Sequence, residues 1–339
     1  MNVCQELPKA VVAPVTPLKR KNTMNMRRLG HTNLMTFPLI FGGNVLGWTL
    51  DTPSSFAVLD AFVGAGGNMV DTADVYSRWV EGNQGGESET ILGQWMKLRG
   101  NRAQLLIATK VGMDMGEGGK GLSPSHIERS IDASLKRLQT DYIDLYQSHL
   151  TDPLVAAEET MSCYGRLIEK GKVRCIGASN HDVSALNAAL RLSQQMGIPS
   201  YATLQPHYNL CEREIFEPEL APYCIQHGLG VIPFYALASG FLTGKYRSAE
   251  AAMQSTRSRT NSKYANPKGW GILSALDAVA QAHDTKPATV ALAWLLAQAA
   301  VTAPIVSATS QQQVQELVQA VDLILTPEDL AQLNLASSY

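Results

Sequence analysis

Charge is thin in this chain, and cysteine and long apolar runs are scarcer still. Only 17% of the 339 residues are charged while 45% are apolar. That balance excludes a wholly disordered chain, because enough apolar side chain is present to form a core. Basic residues are not in excess: 28 Lys and Arg stand against 30 Asp and Glu, for a net charge of −2. Nucleic acid is therefore not expected as a partner, since phosphate binding needs a cationic surplus. No uninterrupted apolar run approaches the ~18 residues of a membrane span, so no membrane partner is expected. Five cysteines (Cys4, Cys163, Cys175, Cys211 and Cys224) are scattered and never form CxxC. They fit small apolar side chains in a reducing compartment better than a disulfide framework or a zinc ribbon. The seven histidines include neither HxH nor HExxH, so no metal site is expected.

Residues 1–26 mix four basic residues with Pro8, Pro14 and Pro17, and their longest apolar stretch is Ala10–Ala13. That is too short for a signal-peptide core. The stretch reads as a loosely ordered extension, and the protein as cytoplasmic.

From residue 27 to 339 short apolar runs alternate with amphipathic stretches. Strands are predicted at Phe37–Phe41, Asn68–Thr72, Leu105–Thr109, Tyr142–Gln147, Val173–Ala178, Ala202–Gln205, Gly230–Phe234 and Ala303–Val306. Between them, Ser123-Pro124 marks a helix start, and Gly171 and Gly228 mark helix ends. Eight β-α units in about 270 residues match an α/β fold of the (β/α)8 TIM-barrel type, as a single domain. A doubly wound sheet would want GxGxxG at its first strand-helix turn, and Gly42, Gly43 and Gly47 lack that spacing. A long polar segment, about 242–269, follows the seventh strand and reads as a functional loop. An additional helix is predicted at Pro287–Ala300.

In such a barrel, chemistry belongs at the C-terminal ends of the strands. Those positions hold Asp71, then Tyr76 five residues later, Lys110, His149, Ser179-Asn180, Gln205 and Phe234-Tyr235. Each has a bland use singly, as a cap, a solvated charge or a packing residue; their joint placement carries the weight. A phenol near pKa 10 is a poor acid or base at neutral pH. An adjacent ammonium is expected to lower it, and an aspartate is needed to keep that ammonium charged in a buried setting. Asp71, Lys110 and Tyr76 supply the set, with His149 placed to orient a carbonyl oxygen or assist proton transfer.

DTADVY at 71–76, ATK at 108–110, SIDASLKRLQTDYIDLYQSH ending at His149, IGASN at 176–180 and PFYALASGFLTGKY at 233–246 resemble the aldo-keto reductases, in order and at family spacing from about Arg27 to the C-terminus. The GGESE run at 85–89 and the long 242–269 segment are similar to the bacterial, aryl-alcohol-dehydrogenase-related and channel-β-subunit-like branches. The resemblance implies an NAD(P)H-dependent oxidoreductase that reduces an aldehyde or ketone, with Tyr76 as general acid, Lys110 and Asp71 as its tuning pair and His149 orienting the carbonyl. It implies that Ser179, Asn180 and Gln205 hold the nicotinamide carboxamide and that Phe234 stacks on the ring where the family has tyrosine. Tyr235, Leu237, Ser239, Gly240 and Lys245 fall in the segment implied to approach the pyrophosphate, with the loop after them covering the cofactor.

At the 2′-phosphate end the chain departs from the family. Ser307 stands where a lysine or glycine is common and Gln313 where an arginine is, and Glu316 is followed by Leu317 instead of asparagine. Ser307, Thr309, Ser310 and Gln313 can hydrogen-bond a phosphate, but without countercharge. Arg257, Arg259 and Lys263 are the nearest replacement charges. NADP(H) is the favoured cofactor, with NAD(H) the alternative. Trp48 and Trp79 suggest an aromatic-walled pocket, and Arg78 an acidic or phosphorylated substrate. A small-molecule carbonyl compound is the expected partner. The rival readings are a cofactor-binding regulatory subunit with little turnover and a barrel hydrolase; the sequence does not decide the oligomeric state.

Overall fold

The computed structural model describes residues 26–254 and 258–339, so the expectation for residues 1–26 lies, Met26 apart, outside the described residues. Eight parallel strands are present: β1 (Ile40–Gly42), β2 (Met69–Asp71), β3 (Leu106–Val111), β4 (Ile143–Ser148), β5 (Val173–Ser179), β6 (Thr203–Gln205), β7 (Gly230–Val231) and β8 (Ile305–Val306). They pair in chain order, and β8 pairs back onto β1 through Ile305 opposite Ile40. The remaining seam closes where Ile305 N–H donates to the Pro233 carbonyl at 2.9 Å and Thr302 N–H to Val231 at 2.8 Å. The result is a (β/α)8 barrel, as the alternation of elements predicts.

Alternation along each strand divides two cores. One set of residues, Phe41, Val70, Ile107, Tyr146, Ile176, Leu204, Val231 and Val306, packs with the surrounding helices. The other set, Ile40, Met69, Leu106, Ala108, Leu145, Ile232, Ala303 and Ile305, forms a separate apolar cluster inside the barrel. Each pleat sends neighbours to opposite faces, so a single short strand serves both layers.

The interior cluster is closed from below by a β-hairpin, Arg27–Arg28 paired antiparallel with Met35–Thr36, which the sequence pattern does not reveal. Leu29 and Leu34 from its turn complete the cluster, at 0% and 5% exposure. Gly30 sits at φ +58°, and a Cβ there would lie 2.1 Å from the Ala202 carbonyl oxygen, so glycine alone fits between hairpin and β6. Arg27 ties the hairpin to the barrel by donating to the carbonyls of Leu296, Val301 and Thr302.

Helices follow their strands with the expected boundaries at Pro124–Leu138, at Glu169 before Gly171 and at His227 before Gly228. The additional helix ends at Ala297, three residues before the expected stop. The 242–269 segment contains short helices at Ala249–Met253 and Ser258–Asn261, and a longer helix begins at Pro267. None of the described helices is long and apolar enough to cross a membrane.

Candidate active site

Where the interior reaches the C-terminal ends of the strands, its chemistry changes abruptly. Two residues beyond Met69 on β2 stands Asp71, and two beyond Ala108 on β3 stands Lys110. Two beyond Leu145 on β4 stands Gln147. The two-residue period makes these the next inward positions on each strand. Lys110 was expected just past the end of its strand. The ladder instead continues to Val111 and sets Lys110 in register with Gln147.

Lys110 is 0% exposed. A buried ammonium is stable only if its three protons find acceptors. They do: Nζ donates to Asp71 Oδ2 at 2.6 Å, to Tyr76 Oη at 2.8 Å and to the Thr72 carbonyl at 2.9 Å. The other carboxylate oxygen of Asp71 accepts from Gln205 Nε2 at 2.9 Å and Gln147 Nε2 at 3.1 Å. Gln147 was not singled out in the sequence. Its signal was a lone amide at the inward position between Leu145 and His149.

Burial works to lower the pKa of Lys110, but Asp71 and Tyr76 together leave it above the ordinary lysine value. The expectation for Tyr76 is reversed. Burial pushes its hydroxyl up to about 12, with Asp71 and Tyr235 adding to the rise, and this outweighs the lowering by Lys110. The phenol is thus a protonated group throughout the neutral range. His149 is 9% exposed, and burial first and the Lys110 charge second hold it well below the ordinary histidine value, so its ring is neutral. Among the described residues its Nδ1 has no partner. Its ring centroid lies 6.2 Å from that of Tyr76.

Two tryptophans rise beside this group. Trp79 is half exposed and stands edge-on to Tyr76 at 5.9 Å and to Trp48 at 5.6 Å. Arg78 donates to the Asp114 carbonyl at 3.1 Å, within the glycine-rich loop after β3.

The remaining sequence candidates occupy the next strand ends around the rim. Ser179 donates to the Gln205 carbonyl at 3.0 Å, and Asn180, at φ +55°, donates to the Ser179 hydroxyl and to the His149 carbonyl. The Gln205 side chain is turned inward to Asp71. Phe234 is stacked on His207 at 5.2 Å and 21°, and Tyr235 meets the same imidazole edge-on at 5.3 Å. Beyond Leu237, three successive residues hold positive φ: Ala238 (48°), Ser239 (57°) and Gly240 (95°). For the two that are not glycine this costs roughly 1–2 kcal/mol each. Gly240 N–H donates to the Leu237 carbonyl at 2.8 Å, and Lys245 lies 4.9 Å from the Tyr246 ring centroid.

At the last strand, Ser307 donates to the Gly42 carbonyl and to Asn44. Thr309 donates from backbone and hydroxyl to the Gln313 side chain. Glu316 accepts from Lys286 at 2.6 Å and from Gln312 at 3.1 Å. Of the three replacement cations, Lys263 is paired with Glu212 at 2.6 Å. Arg257 and the side chain of Arg259 lie outside the described residues.

Comparison with known proteins agrees with this architecture. The Aldo/keto reductase family model matches residues 38–337. A Bacillus subtilis protein named uncharacterized oxidoreductase YrpG is 33% identical over 320 residues, covering 92% of this chain and 95% of its own. Aldo-keto reductase ausK of Aspergillus calidoustus is 32% identical over 302 residues, covering 86% and 74%. The aryl-alcohol dehydrogenase [NADP(+)] of Phanerodontia chrysosporium is 30% identical over 307 residues, covering 84% and 76%.

Proposed function

The chain belongs to the aldo/keto reductase family, and on that premise we propose that it is an NADP(H)-dependent carbonyl reductase with Tyr76 as the general acid. The observation that carries this reading is the Lys110 ammonium, held between the Asp71 carboxylate at 2.6 Å and the Tyr76 hydroxyl at 2.8 Å. Because Tyr76 Oη accepts from Lys110, its own proton is directed elsewhere, toward the rim where Trp79 is half exposed. A carbonyl oxygen placed there receives that proton as it becomes an alcohol oxygen. The phenolate left behind is stabilised by the ammonium, and Asp71 keeps the ammonium charged. The neutral His149 ring offers the same oxygen a hydrogen bond without adding a competing charge. Bound nicotinamide supplies the hydride that goes to the carbonyl carbon.

Residues of this chain fit such a cofactor. Ser179, Asn180, Phe234 and Tyr235 surround the neighbouring strand ends, and the left-handed run Ala238–Gly240 stores strain of the sort found where backbone approaches a ligand. Lys286 is engaged by Glu316, and Ser307, Thr309 and Gln313 can hydrogen-bond a 2′-phosphate without a charge of their own. On family grounds we take NADP(H) as the favoured cofactor, and because these residues bring no free positive charge we expect its advantage over NAD(H) to be small. The aromatic wall of Trp48, Trp79 and Tyr76 favours an aromatic aldehyde or ketone. A relative bearing an aryl-alcohol dehydrogenase name agrees with that choice.

The test is Tyr76→Phe. Carbonyl reduction should fall by about 10²–10⁴-fold, while protein fluorescence titration with NADPH still shows saturable binding. A variant that keeps full turnover removes Tyr76 as the acid. The same titration with NADH measures the contribution of the 2′-phosphate.

A further inference from the structure

The loop that joins Asp71 to Tyr76 buries a second carboxylate. Asp74 is 2% exposed, and among the described residues its carboxyl has no side-chain partner; the one hydrogen-bonding group acting on it is the neighbouring Val75 backbone N–H. Its backbone N–H donates to the Lys110 carbonyl at 3.3 Å, which fastens this part of the loop to the strand bearing the ammonium. The groups that act on it come from five elements. They are Glu89 of helix Glu87–Arg99, Arg137 of helix Pro124–Leu138, Lys110 of β3, Tyr146 of β4 and Tyr164 of helix Ala157–Glu169.

The charges in this region do not balance if every acid is ionised. Glu89, 0% exposed, is satisfied by the Thr109 hydroxyl at 2.5 Å and by Arg137 Nε at 2.7 Å. Asp71 has the Lys110 ammonium. Three buried carboxyl groups thus face two cations, and each cation already has its partner. Asp74 is the one left over, and an unpaired carboxylate in such a place would bear the full cost of desolvation.

On the proposed function as premise, we propose that Asp74 is a positioning residue that sets the alkaline limit of the site: as a neutral acid it leaves the Tyr76 loop seated on β3, and as a carboxylate it would be a third buried anion with no cation to itself, which unseats that loop. Burial first and Glu89 second push Asp74 up to about 8, against Arg137, the Val75 backbone N–H and Lys110. Neither group at the reacting end titrates there, since Tyr76 lies near 12 and His149 well below its ordinary value.

The experiment compares wild type, Asp74→Asn and Glu89→Gln in the reduction of benzaldehyde at saturating NADPH from pH 6 to 10. Wild-type turnover should drop roughly tenfold between pH 7 and pH 9, as one titration near 8 dictates. The Asp74→Asn profile should run flat through that range. In Glu89→Gln the step should move to lower pH, because a charge that raises Asp74 has gone. An Asp74→Asn profile that keeps the wild-type step overturns the proposal. Infrared difference spectra give a reading that needs no turnover. A protonated-carboxyl band at pH 6.5, bleached by pH 9.5 and missing from Asp74→Asn, supports the assignment, and its absence from wild type overturns it. Lack of benzaldehyde turnover with that band present counts against the proposed function and not against Asp74.

Discussion

The two ends of the barrel interior are built from the same strands by opposite means. At the N-terminal end Met69, Leu106, Leu145, Ile232 and Ile305 meet Leu29 and Leu34 of the hairpin in a cluster of apolar side chains. Further along three of these strands, Asp71, Lys110 and Gln147 are just as buried but joined by hydrogen bonds. The lower end draws its stability from area removed from water, about 1.5–3 kcal/mol for each large apolar side chain. The upper end gains little net stability, because desolvation of an ion pair offsets most of its attraction. Its arrangement is explained by what the ammonium does to a phenol.

The largest effect should come from breaking the upper end. Lys110→Met leaves Asp71 buried without its cation, so stability should fall by about 3–5 kcal/mol, alongside a loss of about 10²–10⁴-fold in rate. Adding Asp71→Asn removes both charges and keeps an acceptor for Gln147 and Gln205. The double variant should regain most of the stability and none of the rate. Urea denaturation with steady-state kinetics on both variants separates the two quantities. A double variant no steadier than Lys110→Met would mean that the stranded charge is not the source of the loss.

At the lower end the pattern should invert. Leu34→Ala should cost about 2–5 kcal/mol by cavity formation, with turnover per folded molecule unchanged at 20 °C. Gly30→Ala follows at about 1–3 kcal/mol, since its Cβ would press on the Ala202 carbonyl at a positive φ. A change in KM or kcat for either variant at that temperature would show that the two ends are mechanically linked.

This contrast also explains what could be read from the sequence. The eight strands were legible because each needs an apolar, often β-branched residue on its outward face whatever it carries inside. Strand ends were less so: the seventh was expected to reach Phe234, but its continuous ladder stops at Val231, before Pro233, which has no N–H to give, and Phe234 keeps only a lone parallel bridge to His207. The hairpin was invisible because Arg27-Arg28 and Met35-Thr36 have no strand-like pattern, and only the barrel they close makes them strands. Asp71, Tyr76 and Lys110 were legible as reactive residues at consecutive strand ends. Gln147 and Asp74 were not, since what matters about each is a partner, or a missing partner, far away in sequence. The direction of the Tyr76 shift was misread for the same reason. Spacing shows the neighbouring charge but not the burial that outweighs it.

Thr203 marks the boundary between the two regimes and carries the smallest expected effect. It stands two residues before Gln205 on β6, 0% exposed, and among the described residues its hydroxyl has no partner. The opposing residue on β5 is Gly177, where a Cβ would come within 2.2 Å of that hydroxyl oxygen, so the side chain fills the gap a larger neighbour would leave. If Thr203 belongs to the apolar regime, its methyl and its shape contribute and the hydroxyl is a burden. Thr203→Val keeps the β-branch and nearly the volume, so it should stabilise the protein by up to about 1 kcal/mol, read as a rise in urea midpoint at constant slope. If Thr203 instead belongs to the polar regime, its hydroxyl is part of the support beneath Gln205, and valine should lower both the midpoint and the turnover. The sign of that one change fixes where apolar packing ends and the hydrogen-bonded site begins.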